Sequence, residues 1–218
     1  MLRIRAATVW VLSANSRPFI SGLGFNYVFP TWGENKMLKY ATRDWELGGF
    51  LQYTSGIPFA PPVSTTTPNI SAVGFQTTVQ NRVPGQALFT EDLNCHCFDP
   101  NTTFVLNRNA WVNPTAGQFG NATYYNDYRQ QRRPLENLSL QRSFRFKERI
   151  NFSLRGELTN VFNRTFMQNP TATNPAAPQT RTNNADPNSQ TTAGFGFINN
   201  TTVASAPRQG QIVGRFTF

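Results

Sequence analysis

The sequence predicts an all-β fold: an antiparallel meander forming a section of a transmembrane β-barrel wall, with long extracellular loops. Three observations carry this expectation. Segments spread along the 218 residues alternate apolar and polar side chains with period two, and none of these stretches keeps the 3.6-residue period of a helix. Charged residues make up only 14% of the chain, against ~25% in ordinary globular domains, while aromatics reach 13% with 19 Phe. The connections between the alternating segments, finally, are short at one end and very long at the other.

The first alternating segment places Phe19, Ser21, Leu23, Phe25, Tyr27 and Phe29 on one face, opposite Ile20, Gly22, Gly24, Asn26 and Val28. Pro30-Thr31-Trp32-Gly33 then breaks the strand. The next puts Trp45, Leu47, Gly49, Leu51 and Tyr53 opposite Glu46, Gly48, Phe50, Gln52 and Thr54. A hairpin follows further on. Leu138, Leu140, Phe144 and Phe146 share a face with Arg142, and after a polar turn at Lys147-Glu148 the return strand presents Ile150, Phe152, Leu154, Gly156, Leu158, Asn160 and Phe162. The last strand runs to the final residue, with Gly210, Ile212, Gly214, Phe216 and Phe218 on one face and Gln209, Gln211, Val213, Arg215 and Thr217 on the other. Termini usually fray, so an aromatic end implies a strand paired into a sheet with Ile212, Gly214, Phe216 and Phe218 facing lipid.

Between these strands, Ser55 to Pro134 and Asn163 to Pro207 are rich in Pro, Gly, Thr and Asn with little alternation. Both exceed the usual loop length, which marks them as functional or partly disordered. Short turns follow Phe29 and Phe146; long connections follow Tyr53 and Asn163. Outer-membrane barrels alternate short periplasmic turns with long extracellular loops, and all five strands obey one such orientation. Trp10, Trp32, Trp45, Tyr27 and Tyr53 fall near strand ends, where an interfacial aromatic girdle belongs.

Chemistry-bearing patterns are sparse. Cys95-His96-Cys97 contains the sole His and both cysteines; it matches no common metal spacing, and Cys95 and Cys97 are instead candidates for a disulfide in an oxidising compartment. No nucleophile–base–acid set is available, so no enzymatic activity is expected, and no cofactor motif is present; Gly194-Phe195-Gly196-Phe197 reads as a turn-like aromatic pair. The net charge of +9 comes from scattered Arg, densest at Arg129, Arg132 and Arg133. That scatter disfavours nucleic acid as a partner and suits anionic lipid or lipopolysaccharide. No run approaches the ~20 apolar residues of a spanning helix, and the Ala6–Leu12 run is a weak signal-peptide match.

Several stretches carry a family resemblance. They are Trp45-Glu46-Leu47-Gly48-Gly49-Phe50 leading to Tyr53-Thr54-Ser55-Gly56-Ile57-Pro58-Phe59; Leu106-Asn107 with Ala110-Trp111-Val112; and Gly117-Gln118-Phe119-Gly120-Asn121. More specific is Arg149-Ile150-Asn151-Phe152 through Glu157-Leu158-Thr159-Asn160-Val161-Phe162-Asn163-Arg164, and Ala206-Pro207-Arg208-Gln209 running into Gly214-Arg215-Phe216-Thr217-Phe218 closes the match. Together these resemble the C-terminal part of a TonB-dependent outer-membrane receptor of the Oar-like, carboxypeptidase-regulatory-domain type. Residues 18–218 carry the resemblance; residues 1–17 match poorly, and a truncation is expected there.

The resemblance implies the outer membrane of a Gram-negative bacterium, with the barrel-assembly machinery reading the closing strand. In the full-length receptor it implies TonB and an unknown solute as partners. This chain shows no plug domain or TonB box, so the expectation is a barrel fragment that does not transport alone. A secreted β-rich adhesion or binding module is the alternative reading.

Overall fold

A computed structural model describes residues 12–65, 77–95, 97–146, 150–201 and 205–218. Trp10, His96, the Lys147-Glu148 turn and most of the Ala6–Leu12 run lie outside the described residues. In chain order the elements are β1 (Ile20–Val28), α1 (Lys36–Thr42), β2 (Trp45–Thr54), β3 (Asn81–Arg82), β4 (Trp111–Val112), β5 (Leu135–Phe146), β6 (Ile150–Thr159), β7 (Thr180–Arg181), β8 (Thr191–Ala193) and β9 (Gln209–Thr217). They divide between two compact units.

One unit is a five-stranded sheet in the order β1-β2-β5-β6-β9, with every neighbour antiparallel. Its register aligns the alternating faces across all strands. Tyr27, Leu47, Leu140, Gly156 and Ile212 form one row, and Phe25, Gly49, Leu138, Leu158 and Gly210 the next. The opposite face carries a row of Asn26, Gly48, Ser139, Glu157 and Gln211. Because side-chain period in a strand is two, a one-residue slip would exchange the faces; the register keeps them apart. The sheet is not closed, and among the described residues β1 and β9 each leave one edge unpaired.

Two strand ends differ from the sequence expectation. The return strand stops at Thr159 rather than running through Asn160 to Phe162, because Asn160 takes a left-handed conformation (φ 49°) that a strand cannot continue. The last strand ends at Thr217, with Phe218 just beyond it and 98% exposed. The connection from β1 to β2, read as a short break, instead carries α1, whose Asn35 cap accepts the Met37 amide (3.1 Å).

The second unit is built from residues of the two long connections, within 56–131 and 167–201, with residues 12–18. The sequence reading of these stretches as irregular loops needs correction, since they share a hydrophobic core. Phe59, Leu88, Val105, Leu106, Trp111, Tyr128, Phe195 and Ile198 are all buried. Tyr128 is the aromatic hub, with ring centroids 5.0 Å from Phe59, 5.6 Å from Phe89 and 5.3 Å from Trp111. Backbone hydrogen bonds stitch one long connection to the other: Val63 N–H to Thr173 O (2.9 Å), Val105 N–H to Gly196 O (3.0 Å) and Thr191 N–H to Asn101 O (2.7 Å). Gly196 sits at φ 83°, and a Cβ there would lie 2.7 Å from the Leu106 amide nitrogen, so only glycine allows this close crossing.

Candidate functional site

In a water-soluble sandwich the apolar faces of the strands would form the core. Here they do not. Leu23, Tyr27, Leu140, Leu154, Leu158, Ile212 and Phe216 are all exposed, Ile212 at 80% and Phe216 at 68%. An apolar patch of this extent marks a surface made for a non-aqueous neighbour or a partner. Its height fits a bilayer: the ten residues of β2, at about 3.4 Å each and tilted by about 40–45°, rise about 25 Å, the height of a barrel's lipid-facing band.

Side chains are graded along that height. At the turn end, where β1 and β5 finish and β2 and β6 begin, aromatics collect. Phe144 stacks with Phe152 (5.9 Å), Phe152 packs with Phe216 (4.5 Å) and Tyr27 meets Phe29 edge-on (5.1 Å). The middle rows are mainly Leu, Ile and Gly. The opposite face is polar, Phe50 and Val213 being its main apolar exceptions in β2 and β9. Across it Asn26 donates to Glu46 (2.5 Å), Arg155 pairs with Glu157 (2.8 Å) and Gln211 Nε2 donates to Glu157.

Only two charged residues in these strands share the apolar face, and each is screened at one end of the band. Arg142 lies at the turn end among Trp45, Tyr40 and Phe144, its guanidinium carbon 5.3, 5.4 and 4.7 Å from their ring centroids. Glu136 lies at the loop end, buried, where it accepts from Arg164 Nε (2.7 Å) and the Tyr53 hydroxyl (2.8 Å).

The loop end of β6 is a clasp. Asn160 Oδ1 accepts the Arg164 amide (2.8 Å), and its Nδ2 donates to Arg164 O (2.9 Å) and Ala206 O (3.1 Å). Asn163, also left-handed at φ 50°, donates its amide to Asn160 O (2.8 Å) and accepts from the Arg208 amide (3.0 Å). Asn tolerates this conformation better than other non-glycine residues, so the two Asn supply both the turn and its side-chain bonds.

A family model described as an outer membrane beta barrel domain matches residues 7–211. The chain belongs to that family. No curated protein and no solved structure matches it. An outer-membrane β-barrel domain has its place in the outer membrane.

Sequence-predicted residues of this barrel domain fall into distinct places. Ile212, Gly214 and Phe216 share the apolar face of β9, with Phe218 just past its end. Tyr27 and Trp45 lie at the turn end and Tyr53 at the loop end. Cys95 and Cys97 are joined by a disulfide. Arg129, proposed for anionic lipid, is instead taken up by the protein: Nη1 donates to Ser16 O (2.6 Å) and Gly56 O (3.0 Å), and Nη2 to Asn126 Oδ1 (2.7 Å).

The Glu136–Arg164–Tyr53 cluster was not anticipated. Its only sequence signal is an acid at the start of β5 that falls on the apolar parity. The motifs that carry the family resemblance prove to be architectural: Leu106, Ala110 and Trp111 are core residues, and Asn121 accepts the Arg82 amide (3.2 Å).

Proposed function

We propose that this barrel domain is the C-terminal wall and two extracellular loops of a TonB-dependent receptor of the Oar-like type, a portion that does not transport alone. The observation that carries this reading is the pairing of two features: five wall strands whose two edges are open among the described residues, and two long connections folded around a core of their own. In lipid each open edge has to be covered by another strand, from the same protein or from a second copy. With every pairing antiparallel, β1 and β9 run in the same direction, so joining them directly would make a parallel pair. An all-antiparallel wall therefore needs an odd number of further strands between them.

Large receptors supply both such strands and a lumen wide enough for a gated solute path. On this reading the apolar face of the sheet meets lipid, the polar row from Asn26 to Gln211 lines that lumen, and the two long connections are extracellular loops. Ile212, Gly214, Phe216 and Phe218 belong to the strand read by the barrel-assembly machinery, with lipopolysaccharide as the outer-leaflet neighbour and the Gram-negative outer membrane as the setting. TonB and the solute act on the whole receptor. The test is complementation of a receptor-deficient strain: the chain alone is expected to give no energy-dependent uptake, and restored uptake by the chain alone would overturn the proposal.

A further inference from the structure

The connection between β1 and β2 is more elaborate than a turn requires. Gly33 takes φ 92°, and a Cβ there would collide with Leu38, so residues 30–33 fold down against the helix. Thr42 Oγ1 accepts the Trp32 amide (3.0 Å), fixing Trp32 beside the end of α1. The helix lies on the lipid side of the sheet. Arg142, which shares its face with Leu138 and Leu140, donates Nη2 to Tyr40 O, and Trp45 Nε1 donates to Ala41 O (2.8 Å). Side chains of the lipid face thus hold the helix C-terminus at the level of the aromatic rows.

What this arrangement presents is amphipathic. Lys36 and Lys39 lie three residues apart on one side of the helix, with Arg43 just past its C-terminus. Met37, Leu38 and Ala41 occupy another side; Met37 is 81% exposed and the neighbouring Trp32 65%. Asp44 is engaged by Arg43 and Arg145 (3.5 Å each), which leaves Glu34 as the one other acid of residues 29–44 beside the exposed Lys36 and Lys39. Two helical turns would bind a membrane weakly by themselves. Tethered to β1 and β2 at the edge of the lipid-facing band, they need no insertion energy of their own.

We infer that residues 30–43 form an interfacial anchor at the turn end of the barrel wall, with Trp32, Met37 and Leu38 in the acyl boundary and Lys36 and Lys39 on the phosphates of anionic phospholipid. The inference rests on the lipid-facing reading of the sheet and on its turn-end orientation, which makes this the periplasmic leaflet. The occupant is a phospholipid headgroup, because exposed apolar and basic side chains continue a surface already facing lipid.

The test uses the full chain refolded into phosphatidylcholine vesicles containing equal mole fractions of either dibrominated phosphatidylglycerol or dibrominated phosphatidylcholine, read by tryptophan quenching. Brominated phosphatidylglycerol is expected to quench roughly twofold more strongly, and 1 M salt or Lys36→Gln/Lys39→Gln should bring the two lipids to parity. Trp32→Phe should remove most of the excess while Trp45 continues to respond to both lipids. Equal quenching in the native chain would overturn the anchor and leave the lipid-facing sheet standing. An excess that survives Lys36→Gln/Lys39→Gln would overturn it too. Absence of quenching by either lipid would overturn the lipid-facing reading, and the anchor with it.

Discussion

Replacing Asn160 tests the clasp that ends β6 and ties it to the segment leading into β9. Its side chain makes three hydrogen bonds, to the Arg164 amide, Arg164 O and Ala206 O. At about 1 kcal/mol each, Asn160→Gly should cost about 3 kcal/mol, because glycine accepts φ 49° but makes none of these bonds. Asn160→Ala loses the same bonds and also places a Cβ in the left-handed region, adding about 1 kcal/mol for a total of about 4 kcal/mol. The assay is urea unfolding of the full chain in detergent micelles, followed by tryptophan emission. The order Asn, then Gly, then Ala is the signature. Equal losses for the two variants would show that the positive φ carries no cost, and losses below about 0.5 kcal/mol in both would show that water replaces the clasp.

Other predictions concern two of the buried polar side chains, Tyr128 and Glu136. Tyr128 is fully buried, its hydroxyl has no hydrogen-bond partner among the described residues, and burial pushes its phenol pKa well up. Tyr128→Phe should be neutral or stabilising by about 1 kcal/mol. The native chain, protonated in both states below pH ~10, should lose stability as pH rises beyond that, since only the unfolded phenol ionises there. This component of a stability series from pH 9 to 11 should vanish in Tyr128→Phe; an unchanged slope would contradict the burial. Arg164→Met leaves the buried Glu136 carboxylate with the Tyr53 hydroxyl alone. The expected loss is about 2 kcal/mol, below the 3–5 of fully buried pairs because Arg164 is half-exposed. Adding Glu136→Gln should recover part of it, and a double-mutant cycle of unfolding energies measures how much.

The faces of the five wall strands were legible in the sequence because each strand meets two different environments, and period-two alternation records both. From Leu138 to Leu158 every apolar residue assigned to the hairpin lies on the face the register confirms. The unit formed by the long connections was not legible, for a physical reason. Its strands are two or three residues long, too short for a period, and its core draws single residues such as Phe59, Leu106 and Phe195 from stretches far apart in sequence. Helix α1 escaped notice because seven residues barely complete two turns, and its position depends on Arg142 and Trp45, distant or outside it. Asn160 and Asn163 looked like ordinary residues of an Asn-rich chain; only their positive φ reveals why Asn stands there.

A wall strand of this barrel domain should meet lipid on one face and water on the other. A nitroxide scan of β6 from Ile150 to Thr159, with the full chain in bilayers, tests it most directly. Oxygen accessibility should peak at positions 150, 152, 154, 156 and 158, and a water-soluble nickel reagent should peak at 151, 153, 155, 157 and 159, the two alternating out of phase along the strand. Accessibilities that rise and fall together, or that favour the nickel reagent on the Leu154 and Leu158 face, would contradict a membrane-embedded wall.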